Sequence, residues 1–162
     1  MDGREFRNTL GQFATGVTVV TTTMGEELIG LTANAFSSLS LDPPLILVCI
    51  DKRSSSMVAF TKERPFAINI LQEGQEDECW KFASKSADRF EGVTYSLSND
   101  GVPIISQNLA TIECMVEDVL EGGDHYIVTG RVKKVDYDQE KQPLLFFRGK
   151  IGQLSSTEVK GR

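Results

Sequence analysis

Apolar and polar positions change their spacing several times along this chain, and each change marks an element. Asp2 stands three residues before Glu5, the arrangement of a helix start whose first side chain accepts backbone N–H bonds. Phe6, Leu10 and Phe13 then fall on one helical face. From Gly16 the period shortens: Val17 to Thr23 is β-branched throughout and predicts a strand. Met24-Gly25-Glu26-Glu27 predicts a turn, and Leu28 to Thr32 the returning strand. Phe36 to Leu41 and Leu45 to Ile50 predict two more strands. Asp42-Pro43-Pro44 separates them, because prolines cannot donate to a ladder and belong at a corner.

Ser54 to Lys62, with Met57, Val58 and Phe60, predicts a short helix, Phe66 to Leu71 a strand, and Gln75 to Ser84 a second helix. Ser84 to Gly101 is polar and loop-like around a candidate short strand at Val93 to Leu97. Ala110, Ile112, Cys114 and Val116 alternate with Thr111, Glu113 and Glu117, as in a half-buried antiparallel strand. Gly122-Gly123-Asp124 makes the turn, Tyr126 to Tyr137 returns, and Leu144 to Phe147 is a last strand before a polar tail at 155–162. No repeat, low-complexity segment or internal linker interrupts residues 1–162, so a single domain is expected. Many strands, few helices and frequent turns predict a mainly β fold, a closed or partly closed barrel.

Composition narrows the function. At 162 residues, 40% hydrophobic and 25% charged, the chain is long enough and apolar enough to bury a core. A net charge of −6 argues against nucleic acid, whose phosphates need a basic face. No apolar run approaches the roughly 20 residues that span a bilayer, and no signal peptide is visible, so a cytoplasmic protein is expected. Cys49, Cys79 and Cys114 are far apart in apolar surroundings, with no CxxC pair and one histidine. They are expected to be packing residues, and no metal site is expected.

The stretch from Gly30 to Pro44 carries the most chemistry. It has no charge before Asp42, and it is crowded with small and hydroxyl side chains. Such a segment suits a wall close to a flat polar ligand, where backbone groups, hydroxyls and the Asn34 amide reach its edge. The same residues also suit a corner whose hydroxyls bond their own backbone.

Five blocks occur in order: Phe13 to Thr21, Gly30 to Asn34, Ser38 to Pro44, Phe66 to Leu71, and Gly123-Asp124-His125. Together they resemble the short-chain flavin reductases, the reductase components of two-component flavin-dependent aromatic monooxygenases, from Phe6 to about Leu154. The resemblance implies a Greek-key split β-barrel of the FMN-binding type and a homodimer with flavin sites near the subunit interface. It also implies reduction of FMN or FAD by NADH or NADPH, with reduced flavin passed to a partner monooxygenase.

The matching positions give the candidate site. Thr32, Ala33, Asn34, Ser38, Leu39 and Ser40 match the family segments that line the flavin ring and ribityl chain. For the phosphate, Lys52 to Ser56 opens a predicted helix, and Ser84 to Arg89 supplies a second cluster; Ser55 and Arg89 are the expected contacts. Lys52, Ser84 and Lys85 are equally compatible with a solvated loop. Phe82 and Ala83 resemble the stretch that closes over the flavin, and Phe82 fits helix core packing as well. The resemblance places His125 beside the nicotinamide, as the expected catalytic residue with a positioning role. Phe147, Arg148 and Lys150 are weaker candidates for the dinucleotide. No G-x-G-x-x-G follows a strand, so no Rossmann unit holds the dinucleotide. A non-catalytic flavin-binding or electron-relay protein on the same fold is the alternative; a haem- or pyridoxine-related member of the wider split-barrel group fits less well.

Overall fold

The computed structural model describes residues 1–86 and 88–155, and the expected polar tail therefore lies outside the described residues from position 156 on. In chain order the elements are α1 (Gly3–Leu10), β1 (Thr15–Gly16), β2 (Thr18–Met24), β3 (Glu27–Ala33), β4 (Phe36–Leu41) and β5 (Pro44–Asp51). A 3-10 helix (Ser55–Ala59), β6 (Pro65–Ile70), α2 (Glu76–Ala83), β7 (Tyr95–Leu97) and β8 (Pro103–Ile105) follow. The chain continues with β9 (Ala110–Gly122), β10 (His125–Tyr137), β11 (Leu145–Phe147) and β12 (Lys150–Gly152).

Seven strands form one antiparallel sheet in the order β3-β2-β6-β9-β10-β5-β4. β3 and β4 lie at opposite edges of that order, yet only Asn34 and Ala35 separate them in the chain. A link this short forces the sheet to curl until its edges meet, since a residue spans at most about 3.6 Å. No ladder joins the edges: β3 and β4 are not paired, and the Cys49 N–H bond to the Ala35 carbonyl, at 2.9 Å, extends the β4–β5 pairing. The fold is the expected mainly β type, and hydrogen bonds do not close the sheet into a complete barrel.

β2 is buried on both faces, which accounts for its composition. Val20 points into the inner core with Val48, Phe66, Ile68, Val116 and Val128, and Val19 into an outer core with Leu71, Phe82, Ile105 and Leu144. Its buried threonines are all bonded: Thr21 donates to the Pro103 carbonyl at 2.6 Å and Thr22 to the Pro65 carbonyl at 2.7 Å, while Thr18 donates to Ala33. A buried hydroxyl left unpaired would be costly, so each is matched to a backbone carbonyl.

Four differences from the sequence-based expectations have local causes. The segment after β5 makes only a 3-10 turn, started by the Ser54 hydroxyl accepting from the Ser56 N–H. Helix α1 forms with Asp2 as its cap, but it buries nothing, and Phe6, Leu10 and Phe13 (77% exposed) face outward. Thr111, expected on the solvent face of β9, is buried beneath Asn108, which donates to it at 3.3 Å. The two-residue strand β1 pairs with β11, Thr15 opposite Phe146, and β11 pairs with β12 in a small separate sheet.

Candidate functional site

β3 ends at Ala33, and the chain turns through Asn34 and Ala35 at the opening between the sheet edges. β5 ends nearby at Asp51, which stands opposite His125, the first residue of β10. Gly123, with φ of +71°, makes the tight turn that brings β10 back beside β9; a side chain there would be strained. Helix α2 packs over the outer face with Phe82 in the core and Ala83 at its end. These elements enclose two adjoining clefts.

The smaller, of about 310 Å³, is lined by Thr32, Ala33, Asn34, Phe82, Arg89 and His125, among others. The larger, of about 860 Å³, is lined by Glu27 to Gly30 of β3, Arg53 to Ser56, Ala83 to Ser86 and Arg89. Asp51, Ser54, Ala83 and Arg89 belong to both, so the clefts form one continuous groove along β3. A third, polar cleft of about 450 Å³ lies over Gln107 to Thr111 and Tyr137, and no residue expected from the sequence lines it.

Arg89 stands at the junction of the two clefts. Its Nη1 donates to the Gly30 carbonyl at 2.8 Å, which fixes the guanidinium across the groove. Its Nε is buried with no hydrogen-bond partner. A buried donor in this state is expensive.

His125 is half exposed at the mouth of the smaller cleft, and its Nδ1 lies 2.7 Å from the Asp124 carboxylate. A carboxylate only accepts, so Nδ1 carries the hydrogen and Nε2 of the neutral ring is left as an acceptor. The bond from His125 holds the Asp124 carboxyl below its usual range. On the same rim the Arg53 side chain donates twice to Asp51, at 3.1 and 2.7 Å, and holds that carboxyl well below the usual carboxylate range.

The other expected residues divide clearly. Thr32 lines the smaller cleft, but its hydroxyl is spent on the Cys79 carbonyl at 2.6 Å, so what it offers a ligand is backbone. Ser55 lines the larger cleft on the 3-10 turn, where the short run of aligned peptides supplies little macrodipole. Ser84 and Lys85 also line that cleft, and the Ser84 hydroxyl donates to the Lys81 carbonyl at 2.7 Å. Phe82 is 1% exposed and packs edge-on to Phe90 at 4.9 Å, so helix core packing describes it, with one edge reaching the cleft. Ser38, Leu39 and Ser40 lie on edge strand β4 and line neither cleft.

Lys52 is also outside, paired with Glu121 and set 4.9 Å over the Tyr126 ring. Phe147, Arg148 and Lys150 lie on the β11–β12 hairpin beside α1, where Arg148 bonds Gln12 at 2.9 Å, and none lines the groove. Sequence reasoning missed Asp51 and Cys49 as parts of the groove. The Asp124–His125 pair was visible as neighbours in the chain. Burial pushes up the Cys49 thiol in the groove and the Cys79 thiol, and raises Cys114 to about 12, as expected for packing cysteines. Among the described residues no cluster of ligating side chains could hold a metal ion. Among them, too, no helix is long and apolar enough to cross a membrane.

Comparison with known proteins agrees with this geometry. Residues 10–155 match the family model described as a flavin reductase like domain. The reductase subunit HsaB of a flavin-dependent monooxygenase from Rhodococcus jostii is 42% identical over 92% of this chain and 76% of its own. The FMN reductase (NADH) SmoA of Agrobacterium fabrum is 40% identical over 95% of this chain and 87% of its own. The Streptomyces globisporus NADH:FAD oxidoreductase SgcE6, solved in complex with NAD and FAD fragments, superposes with a TM-score of 0.91. It is 36% identical, covering 96% of this chain and 94% of its own. A match that runs from the end of α1 through β12, across every strand of the seven-stranded sheet, means that the chain belongs to the flavin reductase-like domain family.

Proposed function

We propose that this chain, as a member of that family, is an NAD(P)H:flavin oxidoreductase that reduces FMN or FAD and releases the reduced flavin to a partner monooxygenase in the cytoplasm. The observation that carries the reading is the groove along β3, with Arg89 at its middle and His125 at one mouth.

The residues present fit a flat ring that carries a phosphate tail. The smaller cleft has the small side chain of Ala33 and the backbone of Thr32 to Ala35 along one wall, which a flat ring can approach closely. The Arg89 guanidinium and the hydroxyl of Ser55 supply donors for the phosphate. A bound flavin supplies the hydride acceptor, and the protein supplies orientation. Asn34 reaches the rim with an amide that can bond the ring edge. His125, fixed by Asp124, presents Nε2 to the carboxamide N–H of the nicotinamide and so holds the dinucleotide over the smaller cleft. Orientation of this kind is worth more than proton transfer in a step that moves a hydride between two flat rings.

The chain works as a homodimer. Supporting this are the open edge of β4, with Leu39 half exposed and Leu41 94% exposed, and the uncovered apolar face of α1. A second copy covering β4 would bring Ser38, Leu39 and Ser40 toward a flavin site at the interface.

The test is NADH and NADPH oxidation by the purified protein with FMN, FAD and riboflavin in turn. NAD(P)H consumption with release of reduced flavin is expected. Flavin binding without any NAD(P)H oxidation would favour the electron-relay alternative, and no flavin binding would remove the site.

A further inference from the structure

We propose that the larger cleft is a nucleotide subsite, and that the flavin this chain prefers is therefore FAD rather than FMN. The inference rests on the reading above that the smaller cleft holds the flavin ring. β3 runs the length of the groove, with Leu31 to Ala33 lining the smaller cleft and Glu27 to Gly30 the larger. Arg89 marks the boundary, because its guanidinium is bonded to the Gly30 carbonyl.

A ribityl phosphate that leaves the smaller cleft meets Arg89, and a mononucleotide ends there. The groove does not end there. At about 3.3 Å per residue, the strand from Gly30 to Glu27 carries the larger cleft ~10 Å beyond the point where the guanidinium is anchored. Its volume of about 860 Å³ exceeds the 310 Å³ of the ring pocket more than twofold, so it is far larger than one terminal phosphate needs. A second phosphate, a ribose and an adenine would use this length.

The lining has matching chemistry. Arg53, Lys85 and Arg89 face Glu27 and Asp51 across the cleft, an excess of one positive charge even before the serines are counted. Asp51 is already neutralised by Arg53. The Ser54 and Ser55 hydroxyls add donors, the Ser84 and Ser86 hydroxyls being spent on the Lys81 and Asp88 carbonyls, while Leu28 offers apolar surface to a base. A diphosphate held by Lys85, Arg89 and the hydroxyls of Ser54 and Ser55 is the arrangement these residues suit.

The experiment measures equilibrium binding by calorimetry on flavin-free protein, with FAD, FMN and riboflavin and no NADH present. Without NADH the larger cleft can be filled only by the flavin's own nucleotide. FAD is expected to bind at least tenfold more tightly than FMN. Equal or tighter binding of FMN would overturn the proposal. Lys85→Ala, at an exposed position, is expected to cut the FAD-over-FMN affinity ratio at least threefold. An unchanged ratio would remove the nucleotide from this cleft. If none of the three flavins binds, the flavin site itself is wrong, which is a separate outcome from FMN preference.

Discussion

A Cβ placed on Gly30 would lie 2.5 Å from two ring carbons of Phe82. The helix α2 aromatic therefore seats on the one residue of β3 that lacks a side chain, and the same residue's carbonyl anchors Arg89. Helix packing and the groove lining are thus built on a single glycine.

Gly30→Ala should destabilise the protein by about 1–3 kcal/mol, the usual cost of overpacking a filled core. Phe82 is fully buried and edge-packed on Phe90, so it has little room to retreat. A shift of α2 would also move Ala83 and loosen Arg89. Urea denaturation should give a lower midpoint with an unchanged slope, and calorimetry a weaker flavin Kd. An unchanged midpoint would show that Phe82 has space the structure does not suggest.

A second prediction concerns Asn69, which is fully buried yet has every polar atom satisfied. Its Nδ2 donates to the Val19 carbonyl at 3.0 Å and Thr21 Oγ1 at 2.9 Å, and its Oδ1 accepts from the Ile105 N–H and Asn108 Nδ2, both at 2.9 Å. One amide thus ties β2, β6, β8 and the loop before β9 together. Asn69→Leu leaves these partners unpaired at about 1–3 kcal/mol for each buried group that finds no water. A loss of about 3 kcal/mol or more in unfolding free energy is expected. Flavin affinity per folded molecule should hold, since Asn69 lines neither cleft of the groove.

The contrast between these two residues separates what the sequence makes legible from what it hides. The β-branched run of β2, the β9–β10 pair and the helix over Gln75 to Ser84 follow from local spacing, and their positions hold within a few residues. The pairing of Thr15 with Phe146 joins segments far apart in the chain, and no local pattern encodes it. The same is true of Arg89, whose partner Gly30 is 59 residues away. Thr111 shows the limit of alternation: its face of β9 is covered by a loop carrying Asn108, so a polar residue at a solvent-period position is buried. In the candidate site, Leu31 to Asn34 and His125 line one cleft. Ser38 to Ser40, on edge strand β4, do not line that cleft within one chain.

A third prediction follows from Cys114, whose thiol burial pushes up to about 12, from an ordinary value of 9.0. The folded protein holds this proton more tightly, so the unfolded chain releases it first as pH rises. The stability linked to Cys114 is fully present below about pH 9 and is lost as pH climbs toward 12. Unfolding free energy measured between pH 8 and pH 10.5 should therefore fall more steeply in the wild type than in Cys114→Ala. The comparison of slopes matters, since the alanine also leaves a small cavity that lowers stability at every pH. Parallel slopes would mean that the thiol does not titrate in this way.

The fourth prediction tests His125. The ring sits at the mouth of the smaller cleft opposite Asp51, held through Nδ1 by an exposed carboxylate on the turn. It is half exposed and belongs to neither buried core, so removing it should cost little stability. If Nε2 orients the nicotinamide, His125→Ala should slow flavin reduction by about 5- to 150-fold, the effect of losing ~1–3 kcal/mol of positioning. Flavin affinity and melting temperature should stay near wild type. Asp124→Ala should give a smaller loss in the same direction, because it frees the ring without removing it. Stopped-flow reduction of flavin-loaded protein by NADH reads the rate per bound flavin, and a thermal melt of each variant runs beside it. A lower melting temperature with an intact reductive rate would make His125 a structural residue and take it out of the site.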